Sequence, residues 1–122
     1  MKAQLINQFG DPSVFELATI PTPEPIAGHL LVKVFATSVN QIDCKIRSGA
    51  VAAIAPDFPA VLHSDFAGVI EALGPETSPF KIGDEVYGCA GGLKGSGGAL
   101  AEFMLVDKQL ILNSAVETSS VT

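Results

Sequence analysis

Glycine and proline cut this chain so often that no long regular element can form: twelve glycines and eight prolines are spread over 122 residues. Between them lie short runs rich in β-branched and aromatic side chains, the pattern of brief antiparallel strands and not of strands alternating with long helices. Residues 2–9 alternate weakly up to the turn signal Gly10-Asp11-Pro12, and residues 14–20 form a second β-prone run, so the chain should open with a hairpin. Pro21, Pro23 and Pro25 then deny backbone donors to any ladder and impose an extended connector. Residues 30–39 carry the strongest strand pattern, with Leu30, Val32, Val34 and Ala36 on one face and Lys33 and Thr37 on the other. Further strands are expected over residues 66–73, after the Gly83-Asp84 turn, over residues 99–106 and over residues 110–112. The expectation is a mainly β, partly open barrel with one or two short helices.

One helix has clear local signals. Asn40 is a favourable N-cap, Ile42 and Ile46 recur at helical spacing, and Gly49 supplies a stop, which predicts a helix over residues 41–48. Asp43 and Arg47 then share a helix face. At 122 residues the chain holds one core, here assigned to residues 1–112, with the polar stretch 113–122 expected as a flexible tail.

Charge and composition exclude several functions. A net charge of -6, with no run of Lys or Arg, leaves nothing to follow a nucleic-acid backbone. No apolar run approaches the roughly 20 residues that cross a bilayer. The opening Met1-Lys2-Ala3-Gln4 lacks the apolar stretch of a signal peptide, so a cytoplasmic chain without membrane partners is expected. Cys44 and Cys89 stand far apart with no CxxC partner and read as ordinary thiols.

Residues 91–98 hold five of the glycines, yet they fit no phosphate cradle. Leu100 stands where a third fingerprint glycine would be needed, and the segment that follows is strand-like. His29 and His63 lack companions at metal-ligand spacing. His63-Ser64-Asp65 reads as an ordinary polar strand entrance: three consecutive residues on an extended chain point to alternating faces and cannot form a Ser-His-Asp relay. Asn40 and Asp43 lie where a strand turns into a helix, a place from which side chains can face a cleft. They can equally serve as a helix cap and a surface ion pair with Arg47.

Taken in order, several blocks resemble the N-terminal, GroES-like domain of the medium-chain dehydrogenase/reductase superfamily, in its quinone-oxidoreductase, zeta-crystallin-like branch. They are Met1-Lys2-Ala3, Gln8-Phe9-Gly10, the Pro21 to Pro25 segment, Ser38-Val39-Asn40-Gln41-Ile42-Asp43 with Lys45-Ile46-Arg47-Ser48-Gly49, Ser64-Asp65-Phe66-Ala67-Gly68-Val69-Ile70, and Phe80 through Tyr87 with Gly98 through Phe103. Zinc alcohol dehydrogenases of that superfamily carry a ligating Cys and a ligating His where this chain has Asn40 and Ser64. An amide and a hydroxyl cannot replace thiolate and imidazole around tetrahedral zinc, so the resemblance places the chain on the zinc-free side.

The resemblance implies a hydride passing from NADPH to a quinone or to the β-carbon of an enone. It gives Asn40, Asp43 and Lys45 as the catalytic polar wall, Asn40 as a cofactor contact, and Ser64 and Tyr87 as substrate contacts. Members often have an aromatic residue at the position of Lys45 and Gly at that of His63. A glycine-fingerprint nucleotide-binding domain is the other half of such an enzyme, so this chain is expected to be inactive alone. A homodimer is one assembly the resemblance allows. Two other readings share the fold: a free-standing, non-catalytic GroES-like binding module, which gives no reason for the residue 40–49 motif, and a zinc-type alcohol dehydrogenase domain.

Overall fold

The computed structural model describes residues 1–113. Strands β1 (Lys2–Leu5) and β2 (Glu16–Thr19) pair antiparallel as a two-stranded sheet, which is the expected opening hairpin. Strands β3 (His29–Thr37), β4 (Asp65–Leu73), β5 (Glu85–Cys89), β6 (Phe103–Asp107) and β7 (Ile111–Asn113) form an antiparallel sheet in the order β6-β3-β4-β5-β7. Among the described residues its edge strands β6 and β7 do not pair with each other, so the barrel stays partly open. Helix α1 (Gln41–Ser48) has the expected ends, and Gly49 closes it in the left-handed conformation at φ 91°. Three single-turn 3-10 segments complete the regular structure among the described residues. The expected tail lies, from residue 114 onward, outside the described residues, while Asn113 belongs to β7.

Two expectations need correction. The alternation expected along β3 breaks, because register shifts fall between Leu31 and Val32 and between Val34 and Ala36. Leu31 is therefore buried beside Leu30 and Val32, while Ala36 is exposed. The strand expected over residues 99–106 begins only at Phe103. Before it, the N–H groups of Ala99 and Leu100 donate to the carbonyls of His63 (2.9 Å) and Leu62 (3.2 Å), holding that stretch against another loop.

The core has two parts. Leu30, Val32, Phe66, Ile70, Val86, Met104, Val106 and Ile111 fill the sheet interior. Ile6, Ile46, Ala55, Ala60 and Leu62 form a second cluster that clamps α1 onto β1 and the segment before β4. Burying a side chain such as Ile46 is worth about 1.5–3 kcal/mol. That anchor sets where the first turn of α1 meets the start of β4.

Candidate active site

Residues 37–40 leave β3 and enter α1 alongside residues 63–65, which lead into β4, because Thr37 and Phe66 are register partners. Four polar side chains converge there. Asp65 Oδ2 accepts from Asn40 Nδ2 at 2.8 Å and from Ser38 Oγ at 3.0 Å. The Asn40 amide, the Ser38 hydroxyl and the Cys89 thiol opposite Asp65 on β5 hold the Asp65 carboxyl below the usual aspartate range. Thr37 Oγ1 donates to the Asp65 backbone carbonyl at 2.6 Å. Asp65 is thus the hub of the cluster, although the sequence offers it no role beyond the rejected triad and its place in the Ser64 to Ile70 block.

Asn40 joins this hub to the helix. Its backbone N–H donates to Asp43 Oδ2 at 2.8 Å, the reciprocal half of a capping box. Asp43 is buried rather than at the surface, and Arg47 does not take it as a partner: the guanidinium Nε donates to the Gly10 carbonyl at 3.1 Å. The surface Asp43–Arg47 pair is therefore not formed.

His63 occupies an unexpected position. It is only 7% exposed and sits at φ 75°, so the segment 63–65 is not extended. This left-handed turn buries Leu62, His63 and Ser64 in succession, where an extended chain would alternate. His63 Nδ1 lies 3.4 Å from Thr37 Oγ1. The Thr37 proton already goes to Asp65, so the hydroxyl oxygen accepts and Nδ1 carries the imidazole proton. Burial pushes the His63 pKa down, and the nearby Asp43 charge opposes the shift. The glycine-rich segment explains the strained turn: Gly92, at φ 74°, packs on the His63 backbone, and a Cβ on Gly98 would lie 2.0 Å from the Leu62 carbonyl oxygen. The segment supports residues 61–63 and has no helix behind it to hold a pyrophosphate.

Two concavities flank the cluster. One, of about 300 Å³, is bounded by Asp43, Cys44, Arg47 and His63 together with the apolar Phe15, Val39 and Leu100. The other, of about 240 Å³, runs past Thr37, Ser38 and Asp65. Of the residues named from sequence, Asn40 and Asp43 are brought together. Lys45 is exposed two positions along α1 from Asp43, on a different helix face, and borders neither concavity. Ser64 is buried, with its carbonyl accepting from Ala90 N at 2.9 Å, and Tyr87 is half-buried on β5 opposite Ala67.

Residues 26–115 match the model of the alcohol dehydrogenase GroES-like domain. The chain belongs to this family, in the quinone-oxidoreductase branch of the medium-chain dehydrogenase/reductase superfamily. It is 40% identical to the mouse (Mus musculus) quinone oxidoreductase over 88 residues, which is 71% of this chain and 26% of that protein. Among solved structures, it resembles an alcohol dehydrogenase superfamily protein of Novosphingobium aromaticivorans, with 36% identity and a TM-score of 0.85 over 93% of this chain and 34% of that one. It also resembles a mycobacterial protein solved in complex with NADPH, with 33% identity and a TM-score of 0.79 over 93% of this chain and 32% of that one. The GroES-like domain thus spans about a quarter to a third of the length of these relatives.

The residues present do not fit a catalytic zinc. No group of three or more His, Cys, Asp and Glu side chains among the described residues could hold a metal; at the junction the Asp65 carboxylate is taken up by the Asn40 amide and the Ser38 hydroxyl, and the Asp43 carboxylate by the Asn40 backbone N–H. For a nicotinamide cofactor the residues fit in part: the cluster at Asn40 can meet one face of a ring, but no glycine-lined helix N-terminus is present among the described residues to seat a pyrophosphate. No helix among the described residues is long and apolar enough to cross a membrane.

Proposed function

We propose that this domain forms the substrate-side wall of the cleft of a zinc-independent, NADPH-dependent reductase acting on quinones or enones. The observation that carries the reading is the convergence of Asn40, Asp43 and Asp65 at the junction of β3, α1 and β4, where no three His, Cys, Asp or Glu side chains gather among the described residues. The mouse relative is named for quinone reduction, and a mycobacterial relative was solved with NADPH.

In this reading the nicotinamide of a separate nucleotide-binding domain supplies the hydride. Asn40 meets the ring or the acceptor and Asp43 fixes the turn that carries Asn40, while Lys45, exposed on another face of α1, would reach the cleft only by extending its side chain toward the partner domain. Ser64 and Tyr87 border the substrate side. Hydride transfer needs donor and acceptor carbons about 3–3.5 Å apart, and that placement depends on pyrophosphate and ribose contacts for which the described residues offer no glycine-lined helix N-terminus.

The test joins the chain to the nucleotide-binding domain of a quinone-oxidoreductase relative and follows quinone-dependent NADPH oxidation. The chain alone is expected to show no turnover, and the fusion to show turnover that falls in Asn40→Ala. Turnover by the chain alone would overturn the half-cleft reading.

A further inference from the structure

The Asn40 side-chain amide belongs to the polar cluster between the linings of the two concavities, in a residue bonded to Asp65 and to the cap of α1, and its chemistry depends on which way it faces. An amide presents a donor edge and an acceptor edge, and exposed amides commonly turn over between them. Asn40 is exposed, so packing does not hold it. Its Nδ2 meets Asp65 Oδ2 at 2.8 Å, and an ionised carboxylate can only accept. Turning the amide over would set Asn40 Oδ1 against Oδ2, oxygen against oxygen. Asp65 is itself held from three other directions. Ser38 Oγ bonds the same oxygen at 3.0 Å, Thr37 Oγ1 bonds the Asp65 carbonyl at 2.6 Å, and β5 pairs Cys89 opposite it.

We propose that Asp65 is a positioning residue that locks the Asn40 amide in a single orientation, so that the cleft offers incoming ligand a fixed order of donor and acceptor. Ser38 assists by fixing Asp65. The catalytic part of this proposal rests on the reading of Asn40 given above; the orientation itself does not. Two further groups border the pair: the Asp43 carboxylate on α1 accepts from the Asn40 backbone N–H within the capping box, and the Cys89 thiol faces Asp65 from β5.

The orientation is tested on the chain itself by following the Asn40 side-chain NH₂ signals by NMR during an acid titration. They are expected to move with a single carboxyl that ionises below the usual aspartate range, and to stop moving in Asp65→Ala. Asp65→Asn, of the same shape and uncharged, serves if the alanine variant folds poorly, and should also abolish the movement. Asn40 NH₂ signals that ignore Asp65 in the wild-type chain would overturn the lock. The catalytic part is tested in the fusion with a nucleotide-binding domain. There Asp65→Ala should lower turnover roughly tenfold, within the loss that misplacing a reacting group produces. The double variant Asp65→Ala/Asn40→Ala should be no slower than Asn40→Ala alone, because Asp65 acts through Asn40. Additive losses would overturn the positioning role. Full activity in Asn40→Ala would instead refute the assignment of Asn40 to the cleft, leaving the NMR result to judge the lock.

Discussion

Asp43, 3% exposed, accepts the Asn40 backbone N–H at 2.8 Å and so ties the first turn of α1 to the residue that enters it. The helix is only eight residues long, too short to persist without tertiary support, and Asp43 also places negative charge at its positive end. Removing the carboxylate strands the Asn40 N–H and leaves a small void. Asp43→Ala is expected to cost about 1–2 kcal/mol of stability, measured by urea unfolding. A loss below a few tenths would mean that the cap is not formed in solution.

His63 makes stability depend on pH. Its folded pKa lies below the unfolded value near 6.5 because burial disfavours the charged ring. Between the two values the unfolded chain binds more protons, so stability is fully present above about pH 6.5 and declines as pH falls through the window toward the folded pKa. His63→Gly, which suits the φ of 75°, should flatten that decline, as read from thermal midpoints between pH 5 and 7. An unchanged slope in the variant would assign the decline to another group.

The contrast between α1 and the Asp65 hub shows which parts of this domain the sequence makes legible. Asn40, Ile42, Ile46 and Gly49 act within ten residues of one another, and the helix they specify has the expected bounds. The hydrogen bond from Asn40 to Asp65 spans 25 positions and exists only because β3 and β4 pair in a register that residue spacing does not reveal. His63 was misread for a related reason. Its burial follows from a left-handed turn propped by Gly92 and Gly98 from a loop some thirty residues downstream, and no local pattern announces that support. The β3 register shifts, which bury Leu31 and expose Ala36, are likewise set by the neighbouring strand.

Gly68 lies in the middle of β4, where a Cβ would stand 2.1 Å from the Lys33 carbonyl oxygen on β3. That neighbour is backbone inside a paired ladder and cannot swing away. Gly68→Ala should therefore destabilise by about 3 kcal/mol or more, at the upper end of overpacking costs. Gly97 is the control: a Cβ there meets nothing within 4 Å, so Gly97→Ala should stay within about 0.5 kcal/mol of the parent. Equal losses in the two variants, compared by urea midpoints, would contradict the approach of β4 to β3.

The zinc-free reading can be checked without any activity. Zinc of either the structural or the catalytic kind needs thiolate, imidazole or carboxylate ligands converging at about 2.0–2.3 Å. At the cluster the Asp65 carboxylate is already occupied by the Asn40 amide and the Ser38 hydroxyl, and the Asp43 carboxylate by the Asn40 backbone N–H. His63 has its Nδ1 turned to Thr37, and the Cys89 thiol faces the same Asp65. Among the described residues no three His, Cys, Asp or Glu side chains gather on one point, and fewer cannot hold an ion through dialysis. Metal analysis of the dialysed chain is expected to find well under one zinc per molecule, and the thermal midpoint should not move when a chelator is added, since no binding energy is coupled to folding. About one zinc per chain, with a midpoint lowered by chelation, would return the domain to the zinc-dependent side of its superfamily.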